Sequence, residues 1–331
     1  MKKNRLILLI VIILMVASVI LIMNNKNATI NKELRDFAVE DTSSVTKIFM
    51  VNKSNDKVLL ERKNGIWWVN NKFKARPDAI YTLLKTLSRM DVKSPVPKSA
   101  HNTIIKRLAT QSMKVEVFQG DKKVKVFYVG GPTSNNFGTY MLLEGSDVAF
   151  VVHIPGFNGY LSTRFFVEEE LWRSSEIFNY SFSDITYIKV QNPGNPSKSF
   201  KVYSYGDNRF GLESSDSKMV EKFDTVSVKT YFAYFKNISY QSLLQGFDKI
   251  VMDSIINSTP YYILEVSDNF GKTKSLKAFL MPPTYDAYNL DGKPYEYDPN
   301  VLYAYIDNKD FVTIQFYVFD PLFKEIDDFI N

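Results

Sequence analysis

VTKIFMVNKSNDKVLLERKNGIWWVN, residues 45–70, decides how this chain folds. Two short β runs, TKIFMVN and KVLLER, flank the polar turn KSND, and GIWWVN supplies a third strand. Pro77 then suits the first turn of a helix over Ala79–Met90, where Ile80, Leu83, Leu84 and Leu87 form one apolar stripe. Downstream, MKVEVF and VKVFYVGG close a hairpin around GDKK, and GTYMLLE pairs with VAFVVHI.

The same plan recurs in the second half. Val45-Thr46-x-Ile48 with Asn52 matches Ile185-Thr186-x-Ile188 with Asn192 at an offset of 140, and Trp67 and Val69 match Phe210 and Leu212 at 143. The helical stripe Ile80, Leu83, Leu84, Leu87, Met90 matches Val228, Tyr231, Phe232, Phe235, Ile238 at 148. Val115-Glu116-Val117 matches Leu264-Glu265-Val266 at 149, Pro132-Thr133 matches Pro283-Thr284 at 151, and Tyr140 and Asp147 match Tyr303 and Asp310 at 163. Offsets that only grow are what loop insertions between two copies would leave. The second half carries the strands ITYIKV, SFKVYSY, RFGLE, YYILEV, SLKAFLM, VLYAYID and VTIQFYV, with a helix over 225–237. It closes on DPLFKEIDDFI, where Leu322, Ile326, Phe329 and Ile330 predict a helix face. The expected class is α+β: an N-terminal transmembrane helix, then two similar, mainly antiparallel α+β lobes related by internal duplication.

Leu6–Met23 is 18 residues without a charge, enough to span roughly 27 Å of bilayer as a helix. That run is longer than the apolar core of a secretory signal, and the following NNKNATINK offers no good cleavage site, so it reads as an uncleaved anchor. Lys2, Lys3 and Arg5 cluster ahead of it and favour an N-terminus held inside, with the rest exported. The expected organisation is a cytoplasmic tail 1–5, an anchor in the lipid bilayer 6–23, a stalk 24–43, a first lobe 44–180 and a second lobe 181–331.

Composition excludes several classes. The 331 residues are 45% hydrophobic and 23% charged, far from a disordered chain. Without residues 1–23 the chain has 38 basic against 36 acidic residues, so no excess charge calls for nucleic acid. No cysteine is present, which removes disulfides, thiol catalysis and Cys-ligated metals, and two histidines, His101 and His153, cannot build a multi-His site. Glu168-Glu169-Glu170 and Asp327-Asp328 are neighbours that point apart on a helix, so neither run converges as an acid–base pair. His153 lies in an apolar strand and His101 in the polar KSAHN. Gly130-Gly131-Pro132 joins β runs and opens no helix, so it is a turn and not a phosphate cradle. No catalytic residue, cofactor or metal site is expected.

The most distinctive segment is the loop Thr284–Tyr303, 12 residues longer than its counterpart, with Tyr285, Tyr288, Tyr295 and Tyr297. Asp286, Asp291, Glu296 and Asp298 do not follow the alternate-position pattern of a calcium loop. Tyrosine combines apolar area with a hydroxyl, so these four are the candidate partner-binding residues. The other reading is an ordered hairpin packed on its own lobe.

Several stretches resemble the bacterial family known as domain of unknown function 4340. They are FAVEDTSSVTKIFM, VLLERKNGIWWVN, RPDAIYTLLKTLSRMDVKSPV, FYVGGPTSNNFGTYMLLEGSDVAFVVHIPGFNGYLSTRF and LWRSSEIF, spanning about residues 37–180 after the apolar N-terminal segment. GTYM and IPGFNGYL look like the Bacteroidetes form. The resemblance implies a membrane-anchored envelope protein; with the charge cluster ahead of residues 6–23 the expectation is the bacterial inner membrane with a periplasmic C-terminal part. The resemblance also implies a neighbourhood of ABC-type permeases or gliding-motility components, and it brings no catalytic residue. The leading expectation is therefore a non-enzymatic accessory subunit of a transporter, gliding or secretion apparatus, with other envelope membrane proteins as partners. A periplasmic ligand-sensing or substrate-binding module is the alternative, and an envelope hydrolase stands further behind.

Overall fold

The computed structural model describes residues 12–19, 36–283, 285–286, 288–289 and 291–330. Residues 12–19 are helical and exposed; the rest of the expected anchor and all of the expected tail lie outside the described residues. Among the described residues no helix is long and apolar enough to cross a membrane. The folded part forms two units, one ending at Ser174 and one beginning at Ser175.

The first unit holds β1 (Val45–Val51), β2 (Lys57–Lys63), β3 (Ile66–Val69), β4 (Phe73–Lys74) and β5 (Asp91–Pro95). Then come β6 (Met113–Gln119), β7 (Lys122–Pro132), β8 (Thr139–Leu143) and β9 (Phe150–His153). All join one antiparallel sheet in the order β4-β3-β2-β1-β6-β7-β8-β9-β5. Alternation puts Val45, Ile48 and Met50 of β1, and Val115 and Val117 of β6, on the buried face. The Pro77–Arg89 helix covers that face with Ile80, Leu83 and Leu87. Asn64 and Gly65, with φ of 51° and 79°, supply the two left-handed residues that close β2 onto β3.

The second unit holds β10 (Glu176–Phe178), β11 (Ile185–Gln191), β12 (Phe200–Ser204), β13 (Phe210–Ser214) and β14 (Ile238–Ser239). β15 (Ser242–Leu243), β16 (Tyr262–Asp268), β17 (Thr273–Leu280), β18 (Val301–Ile306) and β19 (Asp310–Gln315) follow. Its main sheet runs β13-β12-β11-β16-β17-β18-β19-β15, and β10 pairs with β14 alone. Apart from the extra edge strand β4, this is the strand order of the first unit, strand for strand.

Register confirms the matches in the first strands and at Tyr140 and Tyr303, whereas past Tyr140 the offset is 162, which sets Asp147 against Lys309 instead of Asp310. Ile48 faces Leu60 and Val117, as Ile188 faces Val202 and Val266. Both first strands carry a bulge, between Val45 and Lys47 and between Ile185 and Tyr187. At each bulge a threonine hydroxyl donates towards the neighbouring strand: Thr46 to the Gly120 carbonyl just past β6 at 2.9 Å, Thr186 to that of Ser267 on β16 at 3.0 Å. The Asn52 side chain accepts from the Ser54 and Asp56 amides, and Asn192 accepts from Asn195, so each asparagine closes the turn after its strand. The repeated V/I-T-x-I…N pattern is a bulge plug and a turn cap.

Several expectations are corrected. Residues 36–43, assigned to a stalk, are folded: Phe37 is buried edge-on to Phe127 and Phe150, and the Val39 amide donates to the Leu87 carbonyl. The Pro132–Pro283 match fails because β7 bulges at Gly130-Gly131. Pro132 pairs with Thr139, whose counterpart Leu302 pairs with Leu280, while Thr284 lies outside the described residues. The helix expected over 225–237 ends at Ala233. The closing segment is no single helix: Phe316–Phe319 makes one turn, and Asp320–Leu322 and Ile326–Phe329 are 3-10 turns. Pro321 and a capping box at Glu325 break it, and Ile330 is exposed. A second helix in each unit, Lys98–Gln111 and Lys249–Ile256, went unread. The first buries only Ile104 and Leu108 and the second nothing, too little for an apolar stripe.

Candidate functional site

The four tyrosines chosen from sequence are all exposed: Tyr285 55%, Tyr288 60%, Tyr295 39% and Tyr297 41%. Among the described residues of their loop, local polar groups make the turns. Asn289 accepts from the Asp291 and Lys293 amides, Gly292 turns with a φ of 73°, and Tyr288 bridges to Pro294. Asp298 is buried and accepts from the Asn300 and Val301 amides at 2.8 and 3.0 Å, which starts β18. Its carboxylate is thus a turn cap. The Asn300 side chain donates to the Tyr285 hydroxyl at 3.1 Å. Tyr297 also borders a cavity of about 440 Å³ together with Asn192, Tyr261, Phe279 and Leu280. No group of acidic or histidine side chains among the described residues is arranged to hold a metal ion.

The other candidates stay apart. Glu168 precedes a single helical turn, Glu169–Trp172, and Glu169 accepts from the Asn70 side chain at 2.5 Å. Asp327 pairs with Lys198, while Asp328 closes the Glu325 capping box. His101 contacts the Asp147 carbonyl at 2.9 Å, and His153 sits on β9 opposite Asp91.

A tyrosine ladder runs across the second sheet. Tyr187 donates to Glu265 at 2.6 Å and Tyr203 to Glu213 at 2.5 Å, while Lys201 Nζ lies 3.8 and 4.7 Å from the two ring centres. Burial, then the Glu213 hydrogen bond, pushes the Tyr203 hydroxyl up to about 12; burial and the Glu325 charge do the same to Tyr262. A folded-state pKa above the unfolded value contributes stability that is complete below about pH 10 and is lost as pH rises through the folded value. Burial also raises the hydroxyls of Tyr180, Tyr187, Tyr231, Tyr261 and Tyr303, all in the second unit. That unit is therefore expected to lose stability as pH rises above about 10. Urea titrations at about pH 9 and 11, followed by near-ultraviolet circular dichroism, check this; an unchanged midpoint would contradict it. The three tryptophans, Trp67, Trp68 and Trp172, all report on the first unit.

Sequence reading missed a cavity of about 400 Å³ in the first unit, lined by Tyr81, Thr82, Lys85 and Arg89 of the helix and by Ile154–Phe157 and Arg164. Arg164 Nη1 donates to the buried Thr86 hydroxyl at 2.9 Å, and its guanidinium lies 4.5 Å from the Phe157 ring centre. Gly156 turns with a φ of 79°, and a Cβ at Gly159 would meet Phe157 at 2.8 Å, so two glycines allow that ring its position. The available signal was Tyr81, Lys85 and Arg89, spaced four residues apart along one exposed helix face.

Neither a curated protein nor a solved structure matches the chain. The family described as a domain of unknown function, number 4340, matches residues 70–250, more than half of the length. The match takes in the Pro77–Arg89 helix, the IPGFNGYL loop and Arg164, and the chain belongs to that family.

Proposed function

We propose that this protein is a non-enzymatic accessory subunit of a bacterial envelope complex, anchored in the inner membrane by residues 6–23 with both folded units in the periplasm. The observation that carries the reading is the stretch between β17 and β18, where Tyr285, Tyr288, Tyr295 and Tyr297 are all exposed. Binding energy at interfaces concentrates in a few such aromatic anchors. An ABC-type permease or another envelope membrane protein is the favoured partner, in line with the family resemblance. The common strand order of the two units supports their origin by duplication, the added loop marking where one copy gained a role.

The test is a chain tagged after Asn331 and captured from mildly solubilised membranes, beside a Tyr288→Ser/Tyr295→Ser/Tyr297→Ser variant. The variant is expected to lose its co-purifying membrane partner with a nearly unchanged melting temperature, since each anchor is worth about 2 kcal/mol or more. A variant equally stable that keeps the partner removes the loop from the account, and recovery of the chain in the soluble fraction removes the anchor.

A further inference from the structure

We propose that the cavity bounded by Tyr81, Lys85, Arg89, Phe157 and Arg164 binds an organic phosphate, the phosphoryl group on the cations and an apolar portion against the two rings. Three cationic side chains line one small concavity, and no carboxylate does. Among the described residues none of the three forms an ion pair with an acid, although the chain elsewhere pairs Arg76 with Asp78 and Lys114 with Glu116. Arg164 is half-buried, is held in place by Thr86, and has its pKa pushed below the ordinary value by burial. A partly desolvated guanidinium held by a hydroxyl and a ring, with no counter-charge, favours an arriving anion. Guanidinium forks also match phosphate geometry. The volume, about 400 Å³, lies in the range of small-molecule sites.

The second unit serves as an internal control. At the matched positions Tyr81 corresponds to Lys229, Lys85 to Ala233 at the helix end and Arg89 to Asn237 beyond it, and the residues corresponding to Ile154–Phe157 are the helical turn Phe316–Phe319. The same topology is therefore built without a cation at the Lys85 and Arg89 positions, so the fold does not require those two. One structural role remains for Arg89, a positive charge in the last turn of its helix.

The phosphate can come from a soluble ester or from a lipid headgroup, and the probes separate these. Isothermal calorimetry on the full chain in non-ionic detergent would use inorganic pyrophosphate, glycerol phosphate and dihexanoyl phosphatidylglycerol, with dihexanoyl phosphatidylcholine as the zwitterionic control. At least one anionic probe is expected to bind, more weakly as salt is added. A Lys85→Ala/Arg89→Asn variant, which installs the second unit's residues, should bind about tenfold or more weakly, the loss of a charge-assisted hydrogen bond. Both side chains are exposed, so the melting temperature should hardly move. Tighter binding of phosphatidylglycerol than of glycerol phosphate assigns the site to a headgroup; the reverse order assigns it to a soluble ester. Failure of all three anionic probes, equal affinity in the variant, or equal binding of the phosphatidylcholine control would overturn the proposal.

Discussion

Trp172→Ala is expected to destabilise the first unit by about 3–5 kcal/mol. The indole is fully buried and stacks on Phe166 at 4.1 Å, its Nε1 donates to the Phe166 carbonyl at 2.9 Å, and its own carbonyl accepts from the Arg76 amide at 2.7 Å. It therefore ties the segment leaving β9 to the residue that caps the Pro77–Arg89 helix. Domains hold only about 5–15 kcal/mol in total, so one truncation removes a large share. Trp172→Phe keeps a stacked ring but strands the Phe166 carbonyl, at a cost of about 1–3 kcal/mol. Denaturant unfolding followed by the emission of Trp67 and Trp68 measures both. A loss below about 1 kcal/mol for the alanine variant would show that this segment is not part of the core.

The legible part of the fold was the part held by period and by local chemistry. Val45-Thr46-x-Ile48 with Asn52 can be recognised twice because the bulge plug and the turn cap each need a particular side chain at a particular place. Offsets tracked the register through Tyr140 and Tyr303 but not at Pro132, where a proline match weighed more than a bulge that sequence spacing does not reveal. Phe37 was illegible for another reason. Nothing in the polar run around it announces that distant Phe127 and Phe150 leave a slot for its ring. The tyrosine loop stood out because it is contiguous. The cationic cavity did not, since Arg164 lies 75 residues beyond Arg89 in a chain whose charges otherwise balance.

Tyr231→Ala is expected to cost the second unit about 3–5 kcal/mol, and Tyr231→Phe about 1–3 kcal/mol. The ring is buried at 5.3 to 6.0 Å from Phe200, Phe235 and Phe329, and its hydroxyl donates to the Leu322 carbonyl at 2.7 Å. Phenylalanine keeps the ring contacts and leaves that carbonyl unpaired; alanine also opens a cavity. The matched residue in the first unit is Leu83, which has no hydroxyl, and there the segment after β9 is held by Arg164 on Thr86 instead. Each copy thus fastens the chain leaving its last central strand to its helix, one through an arginine beside a cavity and one through a tyrosine inside the core. Urea titrations of both Tyr231 variants, followed by near-ultraviolet circular dichroism of the tyrosine-rich second unit, read the difference. Equal losses for the two variants would place the whole effect in the hydroxyl, and a negligible loss for phenylalanine would place it in the ring.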